Sequence, residues 1–289
     1  MSAGARQGSR RAAKRKVREQ DFKGGAGEGG PRVAASSYLN SAPLIWSFLR
    51  GPRRGEVRLW TDAAPARCAD LLARGQVEAA LVPVIEYQRL PEVEVVDGVC
   101  VGARREVQSV VLVTRKARLE EVGTVALDTS SRTSAALVEV IFREFVGRAP
   151  RLEPAEPDLK RMLGGHDAAL VIGDPAMTFA REGLRVHDMA ALWREFTGLG
   201  FVFALWMGRG EAARAVDFAA ARDEGVARVE EIAAEYEREL GRPRAELVSY
   251  LRDNICFEMN EEMRRGLELF FRLAHRHGVT RESKPLKFL

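Results

Sequence analysis

The densest chemistry in the chain lies at Asp128–Ser134, where Thr129, Ser130, Ser131 and Thr133 place four hydroxyls between a strand pattern and a helix pattern. A helix start offers free N–H groups and the positive end of the helix dipole, so hydroxyls gathered there form an anion-binding surface. Arg132 adds a planar guanidinium suited to a carboxylate or phosphate. Ordinary N-capping by one serine, with the rest solvated, reads equally well from the spacing. Ser37-Tyr38-Leu39-Asn40 repeats the arrangement near the start of the body. Asn40 can donate and accept toward a ligand, or simply cap the following helix. Gly173-Asp174 follows a buried strand pattern, where open α/β sheets place ligands. Asp174 is a candidate general base or a cap for a helix starting near Pro175, and the cap fits an unperturbed aspartate better.

Other chemistries find no support. The four histidines form no site: His275 and His277 point to different faces of one helix, and His166 and His187 read as loop residues. No H-E-x-x-H, C-x-x-C or carboxylate cluster occurs, so no metal is expected. Walker and G-x-S-x-G patterns are absent, and the G-x-G-x-x-G spacing falls only at Gly25–Gly30, outside any strand–helix setting. Gly24–Gly30 follows no strand pattern and reads as linker.

The elements that must carry these residues alternate. Strand patterns at Arg32–Ala35, Glu56–Trp60 and Ala79–Val82 are separated by helix patterns at Ala42–Leu49 and Pro65–Arg74. This is the rhythm of parallel βαβ units. Ser109–Thr114, Thr124–Leu127, Arg151–Glu153 and Ala168–Ile172 continue it as strands, with helices to about Phe145, over Asp158–Leu163 and over Ala190–Phe196. Phe201–Met207 is a β-rich apolar run. From Glu211 to Gly278 the pattern is helical, over Ala212–Asp223, Ala227–Leu240, Arg244–Arg252 and Glu261–His277. One doubly wound sheet, or two lobes with crossings near Ser109 and Phe201, both satisfy this order.

Composition narrows the setting. The 289 residues, 46% hydrophobic and 30% charged, suffice for two cores. Residues 1–31 carry eight Lys/Arg against three acids, a net +5, which leaves −1 for the rest of a chain whose total is +4. The basic character therefore belongs to an extension expected to be disordered, and no nucleic-acid module accompanies it. No apolar run reaches the ~18 residues of a membrane helix, and the extension has no signal-peptide core. Three scattered cysteines, Cys68, Cys100 and Cys256, suit a reducing compartment, so a cytoplasmic location is expected.

Six stretches carry a resemblance: SYLN followed by Pro43 (37–43), LVPVIEY (81–87), QSVVLVT (108–114), ALDTSSRTS (126–134), LVIGDPAM (170–177) and TGLGFVFALW (197–206). In order and spacing they resemble the chorismate dehydratases of the futalosine route to menaquinone, from about Arg32 to the C-terminus. The resemblance implies a two-lobed α/β fold of the type II periplasmic-binding-protein kind with C-terminal helices. The first lobe would comprise 32–106 plus 204–289, the second 107–203. It implies no cofactor, a small-molecule partner in chorismate, and a monomer or dimer. The implied reaction removes water from chorismate to give 3-[(1-carboxyvinyl)oxy]benzoate. Substrate-binding residues would be Ser37, Tyr38, Asn40, Ser109, Ser130, Ser131, Arg132 and Thr133, with Asn40 and Asp174 as the catalytic candidates. Two alternatives stand beside it: a non-catalytic binder of a small acid, and the sister dihydroxynaphthoate synthase of the same fold, in which a histidine near the cleft is expected.

Overall fold

The computed structural model describes residues 30–289. The basic extension read from the sequence lies, up to residue 29, outside the described residues. Ten strands form two five-stranded sheets. The first holds β1 (Arg32–Ser36), β2 (Arg58–Asp62), β3 (Ala79–Pro83), β4 (Glu94–Ala103) and β10 (Phe201–Gly208), in the order β2-β1-β3-β10-β4. The second holds β5 (Val110–Thr114), β6 (Thr124–Asp128), β7 (Arg151–Ala155), β8 (Ala168–Ile172) and β9 (Arg185–Asp188), in the order β7-β6-β8-β5-β9.

Both sheets are mixed in the same way. In the first, β1 runs parallel to β2 and β3, while β10 runs antiparallel to β3 and β4. In the second, β6 runs parallel to β7 and β8, while β5 runs antiparallel to β8 and β9. Each sheet thus takes one antiparallel strand next to the point where the chain crosses. The β-rich runs near Ser109 and Phe201 are strands of the sheets themselves, and the crossings are the short segments 104–109 and 198–200 before them.

Helices α1 (Ala42–Leu49) and α2 (Pro65–Ala73) connect the first three strands. Proline in the first turn of each is tolerated because its missing N–H has no intrahelical acceptor there. In the second sheet, α3 (Arg132–Val140) runs on into a π-helical turn, Ile141–Val146, that stops at left-handed Gly147. Helices α4 (Leu159–Gly165), α5 (Asp174–Thr178) and α6 (Met189–Thr197) follow.

The C-terminal third is helical as expected, with one break. The helix expected over Ala212–Asp223 divides into α7 (Gly210–Arg214) and α8 (Phe218–Val226), because the Asp217 side chain accepts from the Ala220 amide and starts a new helix. Helices α9 (Val229–Leu240), α10 (Arg244–Ser249, continued by the π-helical turn Tyr250–Asn254) and α11 (Glu261–Arg276) complete the chain. α11 presses onto the second crossing: a Cβ on Gly266 would stand 2.1 Å from the Gly200 carbonyl oxygen, so only glycine permits that approach. Among the described residues no helix is long and apolar enough to cross a membrane.

Candidate functional site

The ends of the two sheets meet over a cavity of about 40 Å3. From the first sheet's side come Ser36, Tyr38, Asn40, Ser41, Pro65 and Pro83; from the second come Ser131, Ser134, Ile172 and Gly173. Val101, Val110, Phe203 and Ala204 form its apolar floor. None of these residues is cationic, and none is a histidine.

The turn after β1 delivers Asn40. Leu39–Ser41 forms a single 3-10 turn before α1, and Asn40 caps neither element. Its Oδ1 accepts from the Ser41 hydroxyl at 3.2 Å, and its side chain faces the phenol of Tyr250. The Tyr250 hydroxyl in turn donates to Ser109 Oγ at 2.7 Å in a fully buried contact. Burial pushes the Tyr250 phenol well above the ordinary tyrosine range, so it stays protonated. Tyr250 belongs to the C-terminal helices and was invisible to local motif reading, although it holds two of the expected residues in place.

The second wall begins at β6. Ser131 is the N-cap of α3: its Oγ accepts from the Ser134 amide at 3.3 Å and lies 2.8 Å from Ser134 Oγ. One serine does cap the helix, and that serine also lines the cavity. Ser130 turns the other way, and its hydroxyl and amide both reach Asp128 Oδ1. Asp128 is 1% exposed, and burial raises its carboxyl above the ordinary range despite these bonds. The phenol of Tyr38 faces Ser130 and is pushed up to about 12, again by burial.

Besides Ser109 and Ser130, three expected ligand residues do not line the cavity. The Arg132 guanidinium reaches Asp70 at 2.7 Å and Glu86 at 2.9 Å and does not line the cavity. Thr133 Oγ1 accepts from the Ile85 amide at 3.2 Å. Ser37 uses its backbone, donating to the Asp62 carbonyl and accepting from the Tyr236 hydroxyl. Arg132 and Thr133 therefore bind the start of α3 to α2 and to the 3-10 turn Val84–Gln88, across the cleft.

Asp174 does not cap α5; the N-cap is Gly173, and it makes no side-chain cap. Instead Asp174 Oδ1 accepts from the Leu39 amide at 3.0 Å, so an acid of the second sheet caps the turn that carries Asn40. Gly173 beside it has φ +68° and ψ −152°, a region essentially closed to other residues. The Tyr38 ring lies directly over it. Together with the Ala66 amide bonded to the Ser130 carbonyl, these contacts close the two walls on each other.

The expected loop position of His187 is corrected: it lies in β9. Its neighbour Asp188 anchors the first crossing, accepting from the amides of Val107, Gln108, Ala190 and Ala191. Gln108 is held there at a left-handed φ of +58°. Among the described residues no group of three or more His, Cys, Asp or Glu gathers as a metal site. All three cysteines are free.

Two mixed sheets, crossed twice by the chain and closed over a small, largely apolar cavity, define the periplasmic-binding-protein fold. Solved structures agree. A Candida albicans protein with the generic periplasmic binding protein fold matches with a TM-score of 0.64 at 12% identity, over 89% of this chain and 92% of its own. The periplasmic aliphatic sulphonate binding protein of Escherichia coli gives 0.60 at 14% identity, over 90% and 94%. Sequence similarity goes further. A chorismate dehydratase from Thermus thermophilus is 33% identical over 255 residues, 81% of this chain and 91% of that protein. The chain belongs to the menaquinone biosynthesis family, whose model matches residues 31–276.

Proposed function

We propose that the protein is a chorismate dehydratase, a hydro-lyase acting in the cytoplasm on chorismate to give 3-[(1-carboxyvinyl)oxy]benzoate and water. Residues 32–106 with 204–289, and residues 107–203, would be the two bodies that part to admit substrate. The observation that carries the reading is the set of neutral donors, Asn40, Ser131 and Ser134, on a largely apolar cavity in a chain so similar to a chorismate dehydratase.

The chemistry follows from the geometry. The ring carboxylate sits at the α3 start, where Ser131, Ser134 and the unpaired amides of the first helical turn supply donors. Asn40, oriented by Ser41 and Tyr250, holds the enolpyruvyl carboxylate or the leaving hydroxyl. That substrate carboxylate takes the proton from the ether-bearing ring carbon, the neighbouring hydroxyl leaves, and aromatisation drives the step. Asp174 acts through Leu39, fixing the Asn40 turn once the walls meet. Closure excludes water and strengthens each polar contact.

Incubating the purified protein with chorismate and following mass tests this. A product lighter by one water, lost in Asn40→Ala with the fold intact, is expected. Binding without conversion would support the small-acid binder instead. The sister dihydroxynaphthoate synthase is disfavoured because no histidine lines the cavity.

A further inference from the structure

Asp128 is a carboxyl with no evident structural need to be one. It ends β6 at 1% exposure, with no cation beside it. The nearest guanidinium in sequence, Arg132, is turned away to Asp70 and Glu86. Its Oδ1 serves Ser130, Oδ2 is buried without a hydrogen-bond partner, and the Ile172 amide acts on the carboxyl as a whole. Glu156 acts on Asp128 directly, and Asp174 and Asp62, the latter paired with Arg67, flank the Tyr38 end. Asp128 holds the Ser130 hydroxyl, Ser130 acts in turn on the Tyr38 phenol, and Tyr38 lines the cavity.

We propose that Asp128 is the proton source for the departing hydroxyl, reaching it through the Ser130 hydroxyl and the Tyr38 phenol. The inference rests on the dehydratase reading and adds the acid that reading lacks. As the ring carbon–oxygen bond breaks, the leaving oxygen takes the Tyr38 proton and departs as water. Tyr38 takes the Ser130 proton, and Ser130 takes that of Asp128, which becomes a carboxylate. The proton removed from carbon stays on the substrate's enolpyruvyl carboxylate and is released with product; Asp128 regains its own from solvent. A dianionic substrate entering a cavity without a cationic lining residue favours the neutral form of Asp128 further. Tyr38 is therefore the group that touches substrate, and Asp128 acts through it.

Asp128→Asn keeps the shape and the acceptor for Ser130 but cannot give up a proton. General-acid contributions are about 10²- to 10⁴-fold, so kcat should fall by about 10²-fold or more with KM within a few-fold. Wild-type kcat/KM should decline at alkaline pH, and that decline should vanish in Asp128→Asn. Tyr38→Phe should lose a similar factor, and the double variant should be no slower than the worse single one, as for groups acting as a unit. On the alkaline limb of the wild-type profile, where Asp128 is partly ionised, calorimetry of product binding in buffers of different ionisation enthalpy should show proton uptake in the wild type and none in Asp128→Asn. An Asp128→Asn enzyme with wild-type kcat, a retained alkaline decline or additive losses in the double variant would each overturn the relay. A wild type that does not convert chorismate would overturn the function itself, and the two failures are distinct.

Discussion

Gly173→Ala tests whether the closed cleft is the working state. The residue sits at φ +68° and ψ −152°, and an added Cβ would lie 2.6–2.8 Å from three ring atoms of Tyr38. Forcing a side chain into that backbone region costs about 1–3 kcal/mol. The overlap comes on top, unless Tyr38 swings away or the walls part. Relief by opening converts 1–3 kcal/mol into about a 5- to 150-fold loss of the closed population, at ~1.4 kcal/mol per tenfold. The expected result is a fall of that size in kcat/KM, with Tm lower by about 2–12 °C, given ~2–4 °C per kcal/mol for a chain of this size. Gly183→Ala is the control: its φ of +69° strains an alanine, but nothing stands within 4 Å of the added carbon. It should lower Tm and leave kcat/KM unchanged. Equal kcat/KM in the two variants would refute the argument that Tyr38 must seat on Gly173 for turnover.

Arg132→Ala separates a latch from a ligand. Glu86 keeps Arg89 at 3.0 Å and Asp70 is substantially exposed, so loss of the latch should cost only about 0.5–1 kcal/mol and raise KM a few-fold. A direct substrate contact would instead cost about 2–5 kcal/mol, beyond 30-fold in kcat/KM. Tyr250→Phe leaves the buried Ser109 hydroxyl without its partner and frees Asn40; a stability loss of about 1–3 kcal/mol by urea denaturation and a drop in kcat are expected. Asp128→Asn should raise Tm at pH 8. The Asp128 carboxyl is raised in the folded chain, so the native state holds its proton more tightly than the unfolded one. Stability then declines as pH climbs from the unfolded value of ~3.9 through the folded value, and the cost is complete above it. The variant escapes that cost, and its advantage should shrink toward pH 4 in thermal melts.

Much of the architecture was legible because it is local. The Ala42–Leu49 helix and the Ala168–Ile172 strand are found with the bounds their patterns suggest. β4 is not legible as a strand from its sequence. Its β-branched run is interrupted by Asp97-Gly98, a turn-like pair in sequence, and Gly98 adopts φ +68° within the strand. The strand survives because β10 pairs along it through two register shifts, support that no local pattern displays. β9, four residues with a histidine and an aspartate, has no apolar face to announce it and exists through its pairing with β5.

The site divides on the same line. That hydroxyls gather at a helix start is a local fact, and Ser131 is where the capping pattern puts it. Which hydroxyls face a ligand is not local, because each polar group goes to the strongest partner within reach. Arg132 had every chemical qualification for a carboxylate, and it found two within the protein, Asp70 and Glu86, each supplied by a different element of the opposite wall. That leaves neutral donors for an anionic substrate. Such a site binds the dianion less tightly than a cationic one, and it also leaves the enolpyruvyl carboxylate basic enough to accept a proton from carbon, since a guanidinium against it would lower its pKa. Keeping Arg132 outside the cavity is thus consistent with a substrate that serves as its own base. A variant that brought a cation into the cavity, Ser134→Lys, should tighten binding of the product while slowing turnover. Faster turnover in that variant would show that the neutral lining has no part in the chemistry.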